Sequence, residues 1–74
     1  MEISLLIHVD NALDLLQRTD LEQKVIQMNG VTAAKFSTDK NHLMFVQYNP
    51  AMTTSTHVLR QVQGAGVGAQ LVGL

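Results

Sequence analysis

The most strand-like window of this sequence runs from Met44 to Tyr48 and is followed at once by Asn49-Pro50. Aromatic and β-branched residues dominate the window, and such residues favour strands, whereas a proline ends them. Helical segments lie on both sides of the window, and each is itself flanked by a further apolar, strand-like run. The predicted order of elements is therefore strand, helix, strand, strand, helix, strand.

The alternation of apolar residues predicts which side chains face the helices, because successive side chains of a strand point to opposite faces of its sheet. The strands are predicted at residues 2–9, 31–37, 42–48 and 69–74, and a break in the alternation predicts either a β-bulge or a later start in the second. The inward-facing set is Ile3, Leu5, Ile7, Val9, Met44, Val46 and Tyr48. The elements predict an α+β ferredoxin-like βαββαβ sandwich: a four-stranded antiparallel sheet in the order 4-1-3-2, with two helices on one face.

The sequence predicts the centre of the first helix clearly but leaves the residue at which the helix begins undecided. Residues Thr19–Glu22 match a capping box, in which the first and fourth side chains each bind the other residue's backbone amide. Apolar residues then recur at helical spacing, at Leu21, Val25 and Met28. The helix is predicted over residues 20–28 and ends at Asn29-Gly30. Residues 12–18 form either an earlier turn of this helix or a separate short one.

Composition narrows the class of protein. A chain of 74 residues predicts a single domain over residues 1–74, and the absence of cysteine excludes disulfides, thiolate metal sites and cysteine nucleophiles. The net charge is −1, with five Lys and Arg against six Asp and Glu in scattered positions, so the basic stripe of a nucleic-acid-binding protein is missing.

No apolar stretch reaches membrane-spanning length, and the first residues do not match a signal peptide. We expect a soluble, cytoplasmic domain without membrane insertion.

The same alternation leaves apolar side chains on the sheet face that carries no helices, here called the outer sheet face. Leu6, Leu43, Phe45 and Val72 belong to it, and Leu74 is a further candidate. Apolar clusters on an exposed face are typical of interaction surfaces, although isolated apolar residues are also common there. The sequence therefore predicts an interface for a protein partner or for a second copy of the chain, as a homodimer; scattered surface residues are the alternative.

Short motifs at regular spacing extend from about Leu21 to Val72. In chain order they are Met28-Asn29-Gly30-Val31, Val46-Gln47-Tyr48-Asn49-Pro50, Thr54 and Gly66-Val67. In these motifs the chain resembles the heavy-metal-associated domain of small copper chaperones and metal-pumping P-type ATPases. That family has Leu-Pro-Gly-Val, Val-x-Tyr-Asp-Pro, a helix-capping Ser or Thr, and Gly-Tyr at the matching places. The resemblance implies the ferredoxin-like fold and a role in metal handling or transport.

The family's metal-binding loop, Met-x-Cys-x-x-Cys, is degenerate in this chain. Counting back from Gly30 places the two cysteines opposite Asp14 and Gln17. Neither residue supplies the soft thiolate ligand that Cu(I) favours. The resemblance therefore implies a member of the family without its cysteine site.

Three residues near that loop are candidate ligands for a divalent metal. They are His8, Asp10 and Asp14, and imidazole together with carboxylate suits Zn, Ni or Cu(II). Solvated polar residues at a strand end are the alternative interpretation. His42 opens the third strand at the same end of the sheet, but strict alternation points His8 away from the helices and His42 toward them. We therefore expect the two rings not to meet.

No set of residues in the sequence indicates an enzyme, because no nucleophile–base pair or metal cage can be assembled from it. The resemblance implies a non-catalytic role, either as a protein-docking module or as a weak metal carrier, with no cofactor other than a divalent metal. The competing interpretation is an oligomeric regulatory module that binds a small molecule, similar to ACT domains. The stretch Phe45–Tyr48 resembles part of an RNA-recognition motif but lacks its second outward aromatic residue, so we predict no nucleic-acid partner.

Overall fold

The computed structural model describes residues 1–72 and contains three helix or strand elements in each half of the chain. The elements are β1 (Ile3–Val9), α1 (Leu15–Ile26), β2 (Val31–Phe36), β3 (Leu43–Tyr48), α2 (Ser55–Gly64) and β4 (Ala69–Leu71). This order confirms the predicted βαββαβ arrangement. The fourth strand is shorter than predicted, and Leu74 lies outside the described residues.

The four strands form one antiparallel sheet in the order β2-β3-β1-β4, which is the predicted order read from its other edge. The central pair, β1 and β3, aligns Leu6 with Phe45 and Ile7 with Met44. A register shift between Val31 and Ala33 shows that the break in alternation is a bulge in β2, which begins at Val31 and so does not start late.

The core lies between the sheet and the two helices. From the sheet, the buried side chains include Ile7, Val9, Met44, Val46 and Tyr48; from the helices, they are Leu21, Val25, Val58 and Val62. Full burial of an aliphatic side chain of this size contributes roughly 1.5–3 kcal/mol, so this layer is the main source of stability. Ile3 departs from the predicted inward set, since it is 42% exposed at the start of β1.

The first helix runs from Leu15 to Ile26, so residues 15–18 form an earlier turn of it, as one of the two predicted alternatives has it, and the helix ends before the predicted residue 28. A capping box other than the predicted one marks its start. Asp14 is the N-cap: its side chain accepts a hydrogen bond from the Gln17 amide, and the Gln17 side chain accepts one from the Asp14 amide. The predicted box at Thr19–Glu22 was wrong, because both of its ends lie inside the helix. Glu22 instead accepts a hydrogen bond from the Phe36 amide at 2.7 Å, which ties α1 to β2.

The turn after α1 depends on one glycine. Gly30 has φ +90°, in the left-handed region that side chains other than glycine rarely adopt. A Cβ atom built there would lie 2.8 Å from the Cβ of Met52, which is closer than real contacts allow. The sharp turn therefore brings β2 back beside the segment that leads into α2. In that segment Thr54 caps the helix, because its side-chain oxygen accepts a hydrogen bond from the His57 amide.

Candidate functional site

The junction between β1 and α1 is the place where the sequence resemblance locates a metal loop, and here it is a closed helix cap. Two reciprocal hydrogen bonds join Asp14 and Gln17: Gln17 N to Asp14 Oδ1 at 2.8 Å, and Asp14 N to Gln17 Oε1 at 2.9 Å. Both side chains are thus engaged by backbone amides. The positive end of the helix dipole also disfavours a cation at this point. As it stands, this pair stabilises a helix start and offers no soft ligand.

His8 and Asp10 lie together at the end of β1, as the metal prediction requires. His8 Nδ1 is 3.0 Å from Asp10 Oδ1, and the same oxygen accepts a hydrogen bond from Gln70 Nε2 at 2.9 Å. The side chains of His8 and Asp10 are 40% and 54% exposed. Since Gln70 belongs to β4, the carboxylate joins two neighbouring strands and holds the His8 ring against the sheet.

His42 reaches the same place, so the expectation that the two rings would not meet was wrong. The rings of His8 and His42 stack with their centres 5.7 Å apart and their planes 13° from parallel. His42 Nδ1 lies 2.7 Å from the carbonyl oxygen of Val9, and Val9 N donates to the carbonyl oxygen of His42 at 2.7 Å. The alternation rule failed because β3 begins at Leu43, and His42 lies in the turn before it.

Asp14, the third predicted ligand, is engaged elsewhere. Its carboxylate binds the Gln17 amide as a helix cap, whereas Asp10 binds His8. Within residues 1–72 no three His, Asp or Glu side chains are grouped in a way that could hold a metal ion. A divalent-metal site at His8, Asp10 and Asp14 therefore stays a prediction.

The outer sheet face carries the predicted apolar residues in register. Leu6 lies directly opposite Phe45 on the neighbouring strand, and the Val72 amide donates to the carbonyl oxygen of Leu6 at 2.9 Å. Phe45 is 51% exposed, while Leu6, Leu43 and Val72 are partly buried. The use of this face as an interface stays a prediction.

Sequence reasoning missed a second exposed apolar feature, at the first turn of α1. Leu15 and Leu16 are 71% and 78% exposed and directly follow the Asp14 cap. Two adjacent leucines at a helix start could have drawn attention, because they do not fit the spacing of the buried stripe that Leu21 and Val25 form. A shallow groove of about 300 Å³ lies between α1 and the loop after α2, with Gln17, Lys24 and Val67 among its lining residues.

The sheet order, the two helices on one face and the short βα junction together define a class: the chain has the fold of heavy-metal-associated domains. Among solved structures, a copper-binding domain of HMA7, a P-type ATPase, has a TM-score of 0.87 and 16% identity, covering 99% of this chain and 96% of that one. The copper chaperone of Enterococcus hirae in its apo form has a TM-score of 0.82 and 18% identity, covering 92% of this chain and 98% of that one.

Oxidized MerP from Ralstonia metallidurans CH34 is similar in the same way, with a TM-score of 0.83, 11% identity, and coverage of 96% of this chain and 97% of that one. At identities this low, the likeness establishes the fold. No family model matches the sequence, and no curated protein matches it. Neither helix of the described residues is long and apolar enough to cross a membrane.

Proposed function

We propose that this domain is a non-catalytic module for metal handling, which acts by docking on a protein partner or by weakly binding a divalent metal, and not by carrying Cu(I). The observation that carries the proposal is the Asp14–Gln17 capping box within a fold shared with copper-binding domains. The capping residues occupy the two places where the resemblance puts thiolates. The backbone of the module is kept, while the chemistry of the Cu(I) site is replaced by helix capping.

A binding role is favoured over catalysis by the surroundings of the polar residues. Catalytic carboxylates and imidazoles are usually found in a cleft that perturbs them and excludes water. His8 and Asp10 instead lie at the end of β1 with about half of each side chain exposed to solvent. Such a site suits reversible binding of an ion from solution, and we propose that no reaction is catalysed there.

The docking part of the proposal is supported by the exposed leucines at the start of α1. Leu15 and Leu16 expose two large apolar side chains at successive positions of the first helical turn, and exposed apolar patches mark interaction sites. They lie beside the Asp14 cap, so a partner that contacts this end of the molecule would cover the helix start as well. The cytoplasmic location expected from the sequence remains part of the proposal.

The second candidate is an oligomeric regulatory module that binds a small molecule, in the manner of ACT domains. The exposed Phe45 and its neighbour Leu6 on the outer sheet face are the observation that favours it. This candidate differs from metal handling in its ligand, which would be an organic molecule.

Native mass spectrometry of freshly purified protein tests the two functions in one spectrum, because it reports bound mass and subunit count together. Metal handling predicts a chain that carries either a substoichiometric divalent metal or a co-purifying protein. An oligomer that retains an organic molecule and no metal would contradict the proposal and favour the regulatory module. Spectra recorded after treatment with a chelator provide the control, since only the metal-bound peaks should disappear.

A further inference from the structure

The hydrogen bonds of His8 and His42 fix the same tautomer in both rings. A backbone carbonyl can only accept a hydrogen bond, so His42 must donate from Nδ1 to the Val9 oxygen. An ionised carboxylate can likewise only accept, so His8 donates from Nδ1 to Asp10. In a neutral imidazole that donates from Nδ1, the remaining nitrogen, Nε2, carries the lone pair. Both rings therefore hold their metal-binding electron pair on Nε2.

We propose that His8 and His42 together bind one borderline divalent cation, such as Zn(II), Ni(II) or Cu(II), through their Nε2 atoms. The inference deepens the metal-binding part of the proposed function and rests on it. Metal-ligating histidines almost always donate their other ring N–H to a carboxylate or a backbone carbonyl, which fixes the tautomer and raises ligand basicity. Asp10 and the Val9 carbonyl play these two parts here.

The site is held by the main fold and not only by loops. Val9 is fully buried in β1, and it bonds both the backbone and the ring of His42. Asp10 is anchored through its amide to the carbonyl oxygen of Gly68 at 2.8 Å and through its carboxylate to Gln70. The supports of the two rings thus come from strands or strand ends that are hydrogen-bonded to one another. These hydrogen bonds hold both rings at the same end of the sheet.

One of the two rings must turn for them to share an ion, because the ring planes are nearly parallel and each Nε2 lone pair lies in the plane of its own ring. Two nitrogens on one Zn(II) ion lie at most about 4 Å apart, because each Zn–N bond measures about 2.0–2.1 Å. The ring centres lie 5.7 Å apart, and the partly exposed His8 ring has room to turn toward His42 so that both Nε2 atoms reach one ion. Two imidazoles leave further coordination positions for water or for a ligand from a partner. Imidazole suits Zn, Ni and Cu(II), whereas thiolates and thioethers select Cu(I).

Titration of the full chain with Zn(II) and with Cu(II) near neutral pH tests the inference. His42→Ala removes one ligand and should weaken binding at least about tenfold; Asp10→Asn should weaken it about 10–100-fold, as loss of an orienting carboxylate does. His57→Ala and Asp14→Asn are the matched controls and should bind as tightly as wild type. Affinity should also fall on acidification, because protons compete for the ligand nitrogens.

Nitrogen NMR of the imidazole rings gives a second readout that does not depend on affinity. Both rings should show Nδ1–H before metal is added, and Zn(II) should shift Nε2 of both. Metal binding that survives His42→Ala but is lost in Asp14→Asn would overturn the pair while leaving metal handling intact. A wild type that binds neither ion would also overturn the pair. The proposed function fails separately, if native mass spectrometry finds an oligomer with an organic ligand.

Discussion

At the residue scale, the fold depends most sharply on Gly30, where positive φ and a close contact coincide. Alanine there must adopt a left-handed backbone and place its Cβ 2.8 Å from that of Met52. We predict that Gly30→Ala destabilises the domain by about 1–3 kcal/mol or more, the range for a strained backbone residue. Urea unfolding followed by circular dichroism measures this loss.

Alanine substitutions at two other glycines distinguish the cost of backbone strain from the cost of the steric clash. Gly66 also has positive φ, +94°, but a Cβ there would meet nothing within 4 Å; Gly64, in α2, has open space and no positive φ. Gly66→Ala should therefore lose only the strain contribution, and Gly64→Ala should be neutral or gain up to about 1 kcal/mol of helix propensity. Equal losses of stability in Gly30→Ala and Gly66→Ala would show that the close contact with Met52 does not destabilise the Gly30 variant.

The histidines show what residue patterns can and cannot predict. His8 was correctly assigned to the outer side of β1 by alternation, and Asp10 was correctly placed near it. The direction of the His42 side chain was predicted wrongly, because alternation holds only inside a strand. Backbone hydrogen bonds from the Leu43 amide to Lys40 and from the Ser37 amide to Leu43 place His42 in the turn before β3. The direction of a turn residue depends on tertiary hydrogen bonds, here to Val9, that local sequence does not encode.

At the element scale, the start of α1 provides the clearest test of local structure. Asp14 and Gln17 cap the helix, whereas Thr19 lies inside it and is exposed. Asp14→Ala should cost about 0.5–2 kcal/mol of stability, the usual loss of an N-cap. Thr19→Ala, at the position first predicted as the cap, should be neutral or slightly stabilising because alanine is the better helix former. Thermal or urea unfolding of both variants measures the difference.

A larger loss in Thr19→Ala than in Asp14→Ala would mean that the helix starts later than the structure shows. Sequence alone could not decide this point, because both Thr19–Glu22 and Asp14–Gln17 fit the capping-box pattern. The apolar stripe gave no help, since Leu15 and Leu16 of the first turn face solvent and do not extend it. In contrast, the core faces of β1 and β3 and the turn at Gly30 were predictable, because burial imposes a period and the turn demands glycine.

At the scale of the whole molecule, the outer sheet face predicts self-association. Burying Leu6, Phe45 and their neighbours in a two-fold dimer could contribute roughly 1.5–3 kcal/mol each, against association costs of about 4–15 kcal/mol. We therefore expect a dimer no tighter than about micromolar. Sedimentation equilibrium should show it in wild type, and Phe45→Asp should abolish it, because Phe45 is the most exposed of the four predicted interface residues.

A matched control comes from the exposed leucines at the start of α1. Leu16→Asp adds the same charge on α1, where Leu16 is 78% exposed, and should leave the dimer intact. A dimer that survives Phe45→Asp but not Leu16→Asp would move the interface to the start of α1. A wild-type protein that stays monomeric at high concentration would contradict the prediction that the outer sheet face is a dimer interface.

The most direct test of the proposed function is competition for Cu(I) against a strong chelator, with wild type compared with the double variant Asp14→Cys/Gln17→Cys. Wild type should leave Cu(I) on the chelator, because the chain has no cysteine and its helix start is a capping box. The double variant should remove Cu(I), since two cysteines at a helix N-terminus supply thiolates at the positions where the sequence resemblance places them. Wild-type protein that strips Cu(I) from the chelator would contradict the proposal.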